Sequence, residues 1–186
     1  ETVHERRIPQ DGFNGLIQIL HTQTKWGLSC NNMRKRDIDK TTYDDYLSLL
    51  FAHLYCTVPQ GRVGGLSSIK LDQFAEFQNK GLAMTDQFKT RAKYGLQAVV
   101  INPEILSLLK IYVGRFRPVA VKANPCDYLW VTYKGERISR VGSFVTRFFE
   151  KFGNLHVTTT DLRSLAETTA HRAFLAGSIS PAERAA

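Results

Sequence analysis

The sequence has few of the features that mark secreted, disulfide-linked or membrane-spanning proteins. It contains only three cysteines, an odd number without a C-x-x-C motif, which argues against a disulfide scaffold or a zinc ribbon. Its longest nearly apolar stretch, residues 47–58, is interrupted by His53 and is well short of the roughly 18 residues that a membrane span needs. No apolar segment follows the basic pair Arg6-Arg7, so we expect no secretion signal. These absences favour an intracellular domain with free thiols and no membrane partner.

The composition is otherwise that of a packed globular domain. The 186 residues are 43% hydrophobic and 23% charged, close to the averages for soluble proteins and far from low-complexity or disordered sequences. A chain of this length buries well over half of its unfolded surface, which is enough for one domain with a substantial core.

The positive charge is concentrated in the second half of the chain. Residues 1–88 hold 10 basic and 10 acidic side chains, whereas residues 89–186 hold 15 and 7, which accounts for the whole net charge of +8. An excess of this kind predicts a polyanionic partner, with nucleic acid first and an anionic membrane surface second. The alternative is a basic surface that serves only solubility.

Hydrophobic spacing predicts a central helix. From Thr42 to Tyr55, apolar side chains recur as in a helix with one buried face, which Thr41 or Thr42 caps and Val58-Pro59 ends. The aromatic side chains that we expect in the core are Tyr43, Tyr46, Tyr55, Trp130, Phe148 and Phe149.

The remaining patterns predict a mainly α fold with a small antiparallel β-sheet, of the α+β class. One or two short helices are predicted from Leu66 onward, ending at Gly81, and further helices at residues 103–117, 139–152 and 159–174. A β-hairpin is predicted at 84–90 and 96–101, and a strand and turn at 127–135. A threonine cap with Asp161 begins the last helix, and Gly153 ends the one before it. Residues 1–41 are interpreted as an N-terminal segment with one short helix, and residues 42–186 as the domain itself.

Three basic residues stand out by their context. Arg62 lies in the glycine-rich turn GRVGG, Lys89 on the predicted hairpin, and Arg163 in the first turn of the last predicted helix. Two guanidinium groups can hold the non-bridging oxygens of a phosphodiester and stabilise the charge of its pentacoordinate transition state. A lysine on a hairpin can protonate a leaving oxygen. Together they predict phosphodiester chemistry with no metal ion and no cofactor.

The order of three segments resembles the catalytic domain of the tyrosine recombinases, the integrase and transposase family that cuts DNA through a phosphotyrosine. PQGRVGGLSSIKLDQF is similar to the family's first box, and FKTRAKYGLQAVVINPEI to its β-hairpin with a catalytic lysine. VTTTDLRSLAETTAHRAF resembles the second box, which is normally His-x-x-Arg. The resemblance covers about residues 42–186 and is nearest to eukaryotic mobile-element or domesticated members.

The resemblance implies a role for each candidate residue. Arg62, Lys89 and Arg163 are the implied catalytic residues, with Thr160 in the place of the box's histidine. Lys93 is the alternative hairpin lysine. The residues assigned to DNA binding are Arg91, Lys93, Arg140 and His171. The implied partner is double-stranded DNA, with possible homo-oligomers on it, and the implied location is the nucleus.

Three departures from the family pattern limit what the resemblance implies. Thr160 cannot shuttle a proton at neutral pH, although its hydroxyl can donate a hydrogen bond to a phosphate. Gly65 stands where the family usually has an acid after the first arginine. No Gly-His box and no tyrosine follow the second box, since the last tyrosine is Tyr133. We therefore expect that these 186 residues alone do not cleave DNA.

Other interpretations remain open at this point. The chain can be a catalytically inactive, recombinase-derived DNA-binding or architectural module, or a helical protein-interaction domain with no DNA partner. Arg62 and Lys89 can be solvated surface residues. His156 or His171 can substitute for the missing histidine, or can have only a surface or packing role.

Overall fold

The structure, a computed structural model, describes residues 12–57, 69–74, 82–85, 97–100, 103–122 and 124–165. Its elements are α1 (Phe13–Ser29), α2 (Lys40–Thr57), β1 (Leu82–Thr85), β2 (Gln97–Val100), α3 (Pro103–Ile111), α4 (Arg117–Ala120) and α5 (Gly142–Gly153). Residues 71–74 and 159–165 are also helical. The predicted mainly helical class is confirmed over these ranges. Within them, no helix combines the length and the apolar content that crossing a membrane requires.

Helix α2 is the centre of the core. Every residue from Asp45 to Leu54 is buried, so the helix is covered all round rather than on the single face that the sequence predicts. Its first turn is capped by Asp39, whose Oδ1 accepts a hydrogen bond from the backbone N–H of Thr42 at 2.8 Å. The expected cap at Thr41 or Thr42 is therefore wrong. Hydrogen bonds from Thr42 lower the pKa of Asp39.

Helix α1 is longer than the short helix expected in the N-terminal segment, and it packs into the same core. Its side chains Leu16 and Leu20 are buried. At Gly27 the helix comes very close to its neighbours, because a β-carbon there would lie 2.5 Å from Leu49 Cδ2 of α2 and 2.9 Å from Leu108 Cδ2 of α3. Glycine is the residue that permits this approach.

Strands β1 and β2 pair antiparallel, with Leu82 opposite Val100 and Thr85 opposite Gln97. β1 begins two residues earlier than the strand that the sequence predicts. Residues 86–96 between the strands lie outside the described residues.

The helical segment that begins with α3 extends to Ala120, past the end at residue 117 that the sequence predicts. A π-helical turn, Tyr112–Phe116, joins it directly to α4. Pro118 lies in the first turn of α4, where the missing N–H of proline leaves no intrahelical hydrogen bond unmade. The chain therefore stays helical through Pro118.

The buried guanidinium of Arg117 fixes the segment that follows α4. Arg117 is 5% exposed, and it donates hydrogen bonds to the carbonyl oxygens of Leu129 at 3.2 Å, of Tyr128 at 2.7 Å and of Cys126. The phenol of Tyr112 donates to the same Leu129 carbonyl at 2.9 Å. These bonds hold the backbone of residues 126–129 in place against α4.

Residues 126–129 in turn hold residues 69–71 through two backbone hydrogen bonds. The Leu71 N–H donates to the Asp127 carbonyl at 2.7 Å, and the Leu129 N–H donates to the Ile69 carbonyl at 3.0 Å. The chain then turns back at Gly135, whose φ of 83° lies in the left-handed region. The predicted strand and turn over residues 127–135 are thus short bridges around a tight turn.

Helix α5 closes the core with Phe148 and Phe149, both fully buried. It begins at Gly142, and the residue that ends it in the left-handed conformation is Asn154, with φ 53°. Gly153, the expected end, is the last helical residue. Of the six aromatic side chains expected in the core, Tyr55 is only half-buried, and the other five are buried.

Candidate nucleic-acid interface

Helices α2 and α5 run antiparallel, which places the end of α2 beside the start of α5. Near the start of α2, Asp45 makes two ion pairs with α5. Its Oδ1 lies 3.0 Å from Nη2 of Arg147, in the middle of α5, and its Oδ2 lies 2.6 Å from Nζ of Lys151, near the end of α5. Further along α2, the ring of Phe51 lies 5.6 Å from the ring of Phe144, in the first turn of α5. The two sets of contacts fix both the direction and the register of the pair.

The helix at residues 159–165 begins at the same place. A β-carbon on Gly142 would lie 3.7 Å from Cγ2 of Thr159, so the first turns of the two helices are in contact. Burial raises the pKa of Tyr55, near the end of α2, and the positive charge of Arg163 partly opposes that rise. We call this region, formed by Tyr55, Arg140, Thr160 and Arg163, the basic end.

A capping box holds the start of that helix. The backbone N–H and the hydroxyl of Thr158 both donate to Asp161 Oδ2 at 2.8 Å, and the Asp161 N–H donates to Thr158 Oγ1 at 3.2 Å. The predicted threonine cap with Asp161 is confirmed, and the threonine is Thr158. Arg163 is then the fifth residue after the cap and lies in the second turn. The expectation that Arg163 occupies the first turn, against the helix dipole, is wrong.

Thr160 and Arg163 present hydrogen-bond donors on one face of the helix. Residues three apart lie on the same side of an α-helix, and both of these side chains are exposed. Leu162, on a different face, is fully buried and anchors the turn in the core. A hydroxyl and a guanidinium fixed in this way can both donate to the oxygens of one phosphate.

Arg140 extends the basic end toward α5. It is exposed and lies two residues before Gly142. Its carbonyl accepts a hydrogen bond from the Ser143 hydroxyl at 3.4 Å. Within the described ranges, no carboxylate lies within ion-pair distance of Arg140 or of Arg163.

The start of α3 lies at the same end of the core. Nε2 of His53, one turn before the end of α2, lies 3.0 Å from Oε1 of Glu104, the second residue of α3. Strand β2 ends at Val100, three residues before α3 begins. The hairpin is thus joined to the core beside the end of α2, and Arg62 follows the last residue of α2, Thr57, by five positions in the sequence.

The structure describes three of the eight candidate residues. Thr160, Arg163 and Arg140 share the basic end. The other five lie outside the described residues, so their convergence with Arg163 stays a prediction; they are Arg62, Lys89, Arg91, Lys93 and His171. His156, the described alternative for the missing histidine, has its Nδ1 2.8 Å from Glu150 Oε1, as a surface pair does.

Sequence reasoning missed two groups at this end. Tyr55 was assigned to the core by its helical spacing, yet it is half-buried, and the charge of Arg163 acts on its pKa. The contact between His53 and Glu104 joins residues 51 apart, and no local pattern signals it. Among the described residues, no three His, Cys, Asp or Glu side chains are grouped as a metal site.

Comparisons with protein-family models, with curated proteins and with solved structures give no match to this chain.

Proposed function

We propose that this chain is the DNA-binding catalytic domain of a tyrosine-recombinase-like protein, which in its intact form cleaves and rejoins DNA strands. The observation that supports this most directly is the outward-facing pair of Thr160 and Arg163, on a capped helix at the end of the core where α2 ends and α3 begins. The segments that carry Arg62 and Lys89 are joined to the core at that same end. In the proposed site, these segments bring Arg62 and Lys89 to the phosphate that Thr160 and Arg163 bind.

The proposed chemistry is a metal-free transesterification. The phenol of a tyrosine gives up its proton to water and its oxygen attacks the scissile phosphorus, the bond to the 5′ oxygen breaks, and that oxygen takes a proton from Lys89. Arg62 and Arg163 hold the non-bridging oxygens and neutralise the charge that develops on them. Thr160 donates one further hydrogen bond where the family uses histidine. The 3′-phosphotyrosine conserves the bond energy for rejoining.

The tyrosines of the core are not suited to be the nucleophile. The phenol of Tyr43 donates to the Val131 carbonyl at 2.8 Å and that of Tyr46 to the Leu108 carbonyl at 2.6 Å, and both rings are fully buried. Burial raises the pKa of Tyr112 to about 12. The proposal therefore assigns the nucleophile to a tyrosine that follows the second box, as in the family.

One observation favours the second candidate function, an inactive recombinase-derived DNA-binding or architectural module. Thr160 lacks the titratable group that the family's histidine supplies. In a module of this kind, Arg163 and Arg140 grip the DNA backbone and no strand is cut. Homo-oligomers on DNA and a nuclear location stay predictions under both functions.

Arg163→Ala tests the function that both candidates share. We expect the variant to bind a DNA duplex about tenfold more weakly than the unmodified chain, because a charge-assisted phosphate contact is lost. The slope of log affinity against log salt should fall by about 0.9. Fluorescence anisotropy across a salt series measures both quantities. Arg36→Ala, which removes an exposed arginine from the turn before α2, is the matched control.

Unchanged affinity and slope in Arg163→Ala would reject the assigned role. Absence of a salt-dependent affinity in the unmodified chain would favour a protein-interaction domain instead. To separate the enzyme from the module, the full-length protein is incubated with a nicked suicide duplex and examined for a covalent protein–DNA adduct. An adduct that Arg163→Ala abolishes supports the enzyme, and absence of any adduct supports the module.

A further inference from the structure

A second basic surface lies along the side of the core, next to the basic end. It is a groove of about 320 Å³ between the start of α2, the turn at residues 132–136 and the first half of α5. Three basic side chains line it, Lys40, Lys134 and Arg147, together with two acidic ones, Asp44 and Glu136. We call it the α2–α5 groove.

The carboxylates here lie beneath the cations that they hold. Asp44 is 15% exposed and pairs at 2.6 Å with Lys40, which is 66% exposed. The side chain of Asp45 is 12% exposed and pairs with both Arg147 and Lys151, whose side chains are each 40% exposed. Glu136 is exposed, but Asp44 and Asp45 are covered while the cations that they hold face outward. The surface that a partner meets is therefore more positive than the count of charges suggests.

The basic surface continues on the other side of the turn. A second depression shares Tyr133, Lys134 and Glu136 with the groove and adds Lys122. Lys134 thus stands between two depressions, with an exposed side chain. In the described part of the chain, Lys122 and Lys134 have no carboxylate within ion-pair distance.

The groove and the basic end meet at the start of α5. Ser143 lines the groove, and its neighbour Gly142 contacts Thr159 of the last described helix. Along α2, Lys40 and Tyr55 are 15 residues apart, which is about 22 Å at the rise of an α-helix. At about 3.4 Å per phosphate along one DNA strand, this length spans roughly six phosphates. A single small anion cannot cover it, whereas a duplex backbone can.

We infer that the DNA backbone runs from the basic end onto the α2–α5 groove, where its phosphates contact Lys134, Lys122 and Arg147. This inference rests on the proposed function and adds a second DNA contact to it. Each contact is electrostatic and reads no base, so the groove supplies affinity and fixes the direction of the duplex across the domain. The buried carboxylates keep Arg147 and Lys40 in place before DNA arrives.

Lys134→Gln and Lys122→Gln, singly and together, test the groove in the full chain. We expect each single variant to lower the slope of log affinity against log salt by about 0.9 and to weaken binding about fivefold, on a duplex of about 20 base pairs. Lys110→Gln, which removes an exposed lysine from α3, is the matched control. Thermal melting of every variant confirms that the fold is kept, as expected for exposed lysines with no ion pair recorded in the described ranges.

Duplex length gives a second, independent measurement. On a hairpin duplex of about four base pairs, which spans only about 14 Å at roughly 3.4 Å per base pair and cannot reach along the roughly 22 Å from Tyr55 to Lys40, we expect the lysine variants to bind as the unmodified chain does. An equal loss on the short and the long duplex would overturn the proposed path of the DNA.

The outcomes separate this inference from the proposed function. If Arg163→Ala weakens binding and both lysine variants match Lys110→Gln, the groove is rejected and the function stands. If the lysine variants weaken binding on the long duplex and Arg163→Ala does not, the groove binds DNA and the assigned role of Arg163 is rejected. If no variant has an effect, both proposals fail.

Discussion

Among the residues that the structure describes, two charged side chains, Arg117 and Asp45, are largely buried, and the protein satisfies them in opposite ways. Arg117 is 5% exposed and donates to three backbone carbonyls of one neighbouring segment, with no carboxylate within ion-pair distance in the described ranges. Asp45 is 8% exposed as a whole residue, and its carboxylate accepts hydrogen bonds from two side chains of another helix, Arg147 and Lys151. All the recorded partners of Arg117 are backbone groups inside the fold, whereas the carboxylate of Asp45 binds two cations that reach the surface.

The difference separates a structural charge from a charge that can serve binding. The guanidinium of Arg117 orders residues 126–129, and through them residues 69–71, and it offers nothing to a partner. The carboxylate of Asp45 is a fixed anchor, and the half-exposed Arg147 and Lys151 above it remain able to meet a phosphate. Substitutions at Arg117 should therefore act on stability, and those around Asp45 on stability and DNA binding together.

The largest effect on stability is expected from Arg117→Met. The variant removes a donor from three carbonyls, of which only that of Leu129 keeps another donor, the Tyr112 phenol, so we expect the free energy of unfolding to fall by about 3 kcal/mol. Urea unfolding followed by circular dichroism measures the change. Arg115→Met is the control, because half-exposed Arg115 makes one long bond, 3.4 Å, to the Met33 carbonyl. A loss in Arg117→Met no larger than in the control would contradict the assigned role.

Amide hydrogen exchange sharpens the same test. In Arg117→Met, the N–H groups of Leu71 and Leu129 should lose protection more than those of α2, because they bond within the segment that Arg117 orders. Equal loss of protection in both places would mean that Arg117 supports the whole core rather than that segment.

The long helices of the fold could be predicted from the sequence because their signals are local. The apolar spacing of α2 and α5 and the proline at the start of α3 each lie within one element. Helix α1 was underestimated because it contains glycine and threonine residues of low helix propensity, and packing of Gly27 against α2 and α3 offsets that disadvantage. Its length is set by tertiary contacts, which the local sequence does not display.

The candidate site was predictable only where its residues belong to one segment. The spacing of Thr160 and Arg163 and the cap before them are visible in a run of six residues. The contacts that Asp45 makes with Arg147 and Lys151 join residues 102 and 106 positions apart, so no local pattern contains them. The α2–α5 groove depends on those contacts and could not be predicted without coordinates.

A smaller loss is expected from Asp45→Asn, which keeps the shape of the side chain and removes its charge. Arg147 and Lys151 lose a common acceptor but can turn toward water, so we expect the free energy of unfolding to fall by about 1–2 kcal/mol. Urea unfolding again gives the value. Asp44→Asn is the control, since its single partner Lys40 is largely exposed. If the two variants lose the same stability, Asp45 contributes no more than the exposed pair of Asp44 does. It would then not be a buried charge comparable with Arg117.

The smallest effect is expected from Lys151→Gln. Asp45 keeps its bond to Arg147, and Lys151 is 40% exposed, so the lost pair should cost only about 0.5 kcal/mol and less in high salt. A double-mutant cycle with Asp45→Asn, measured by urea unfolding at low and high salt, isolates this coupling. A loss in Lys151→Gln equal to that in Asp45→Asn would show that Lys151 alone balances the carboxylate. Arg147 would then be free of Asp45 and would not be held in place for a phosphate in the α2–α5 groove.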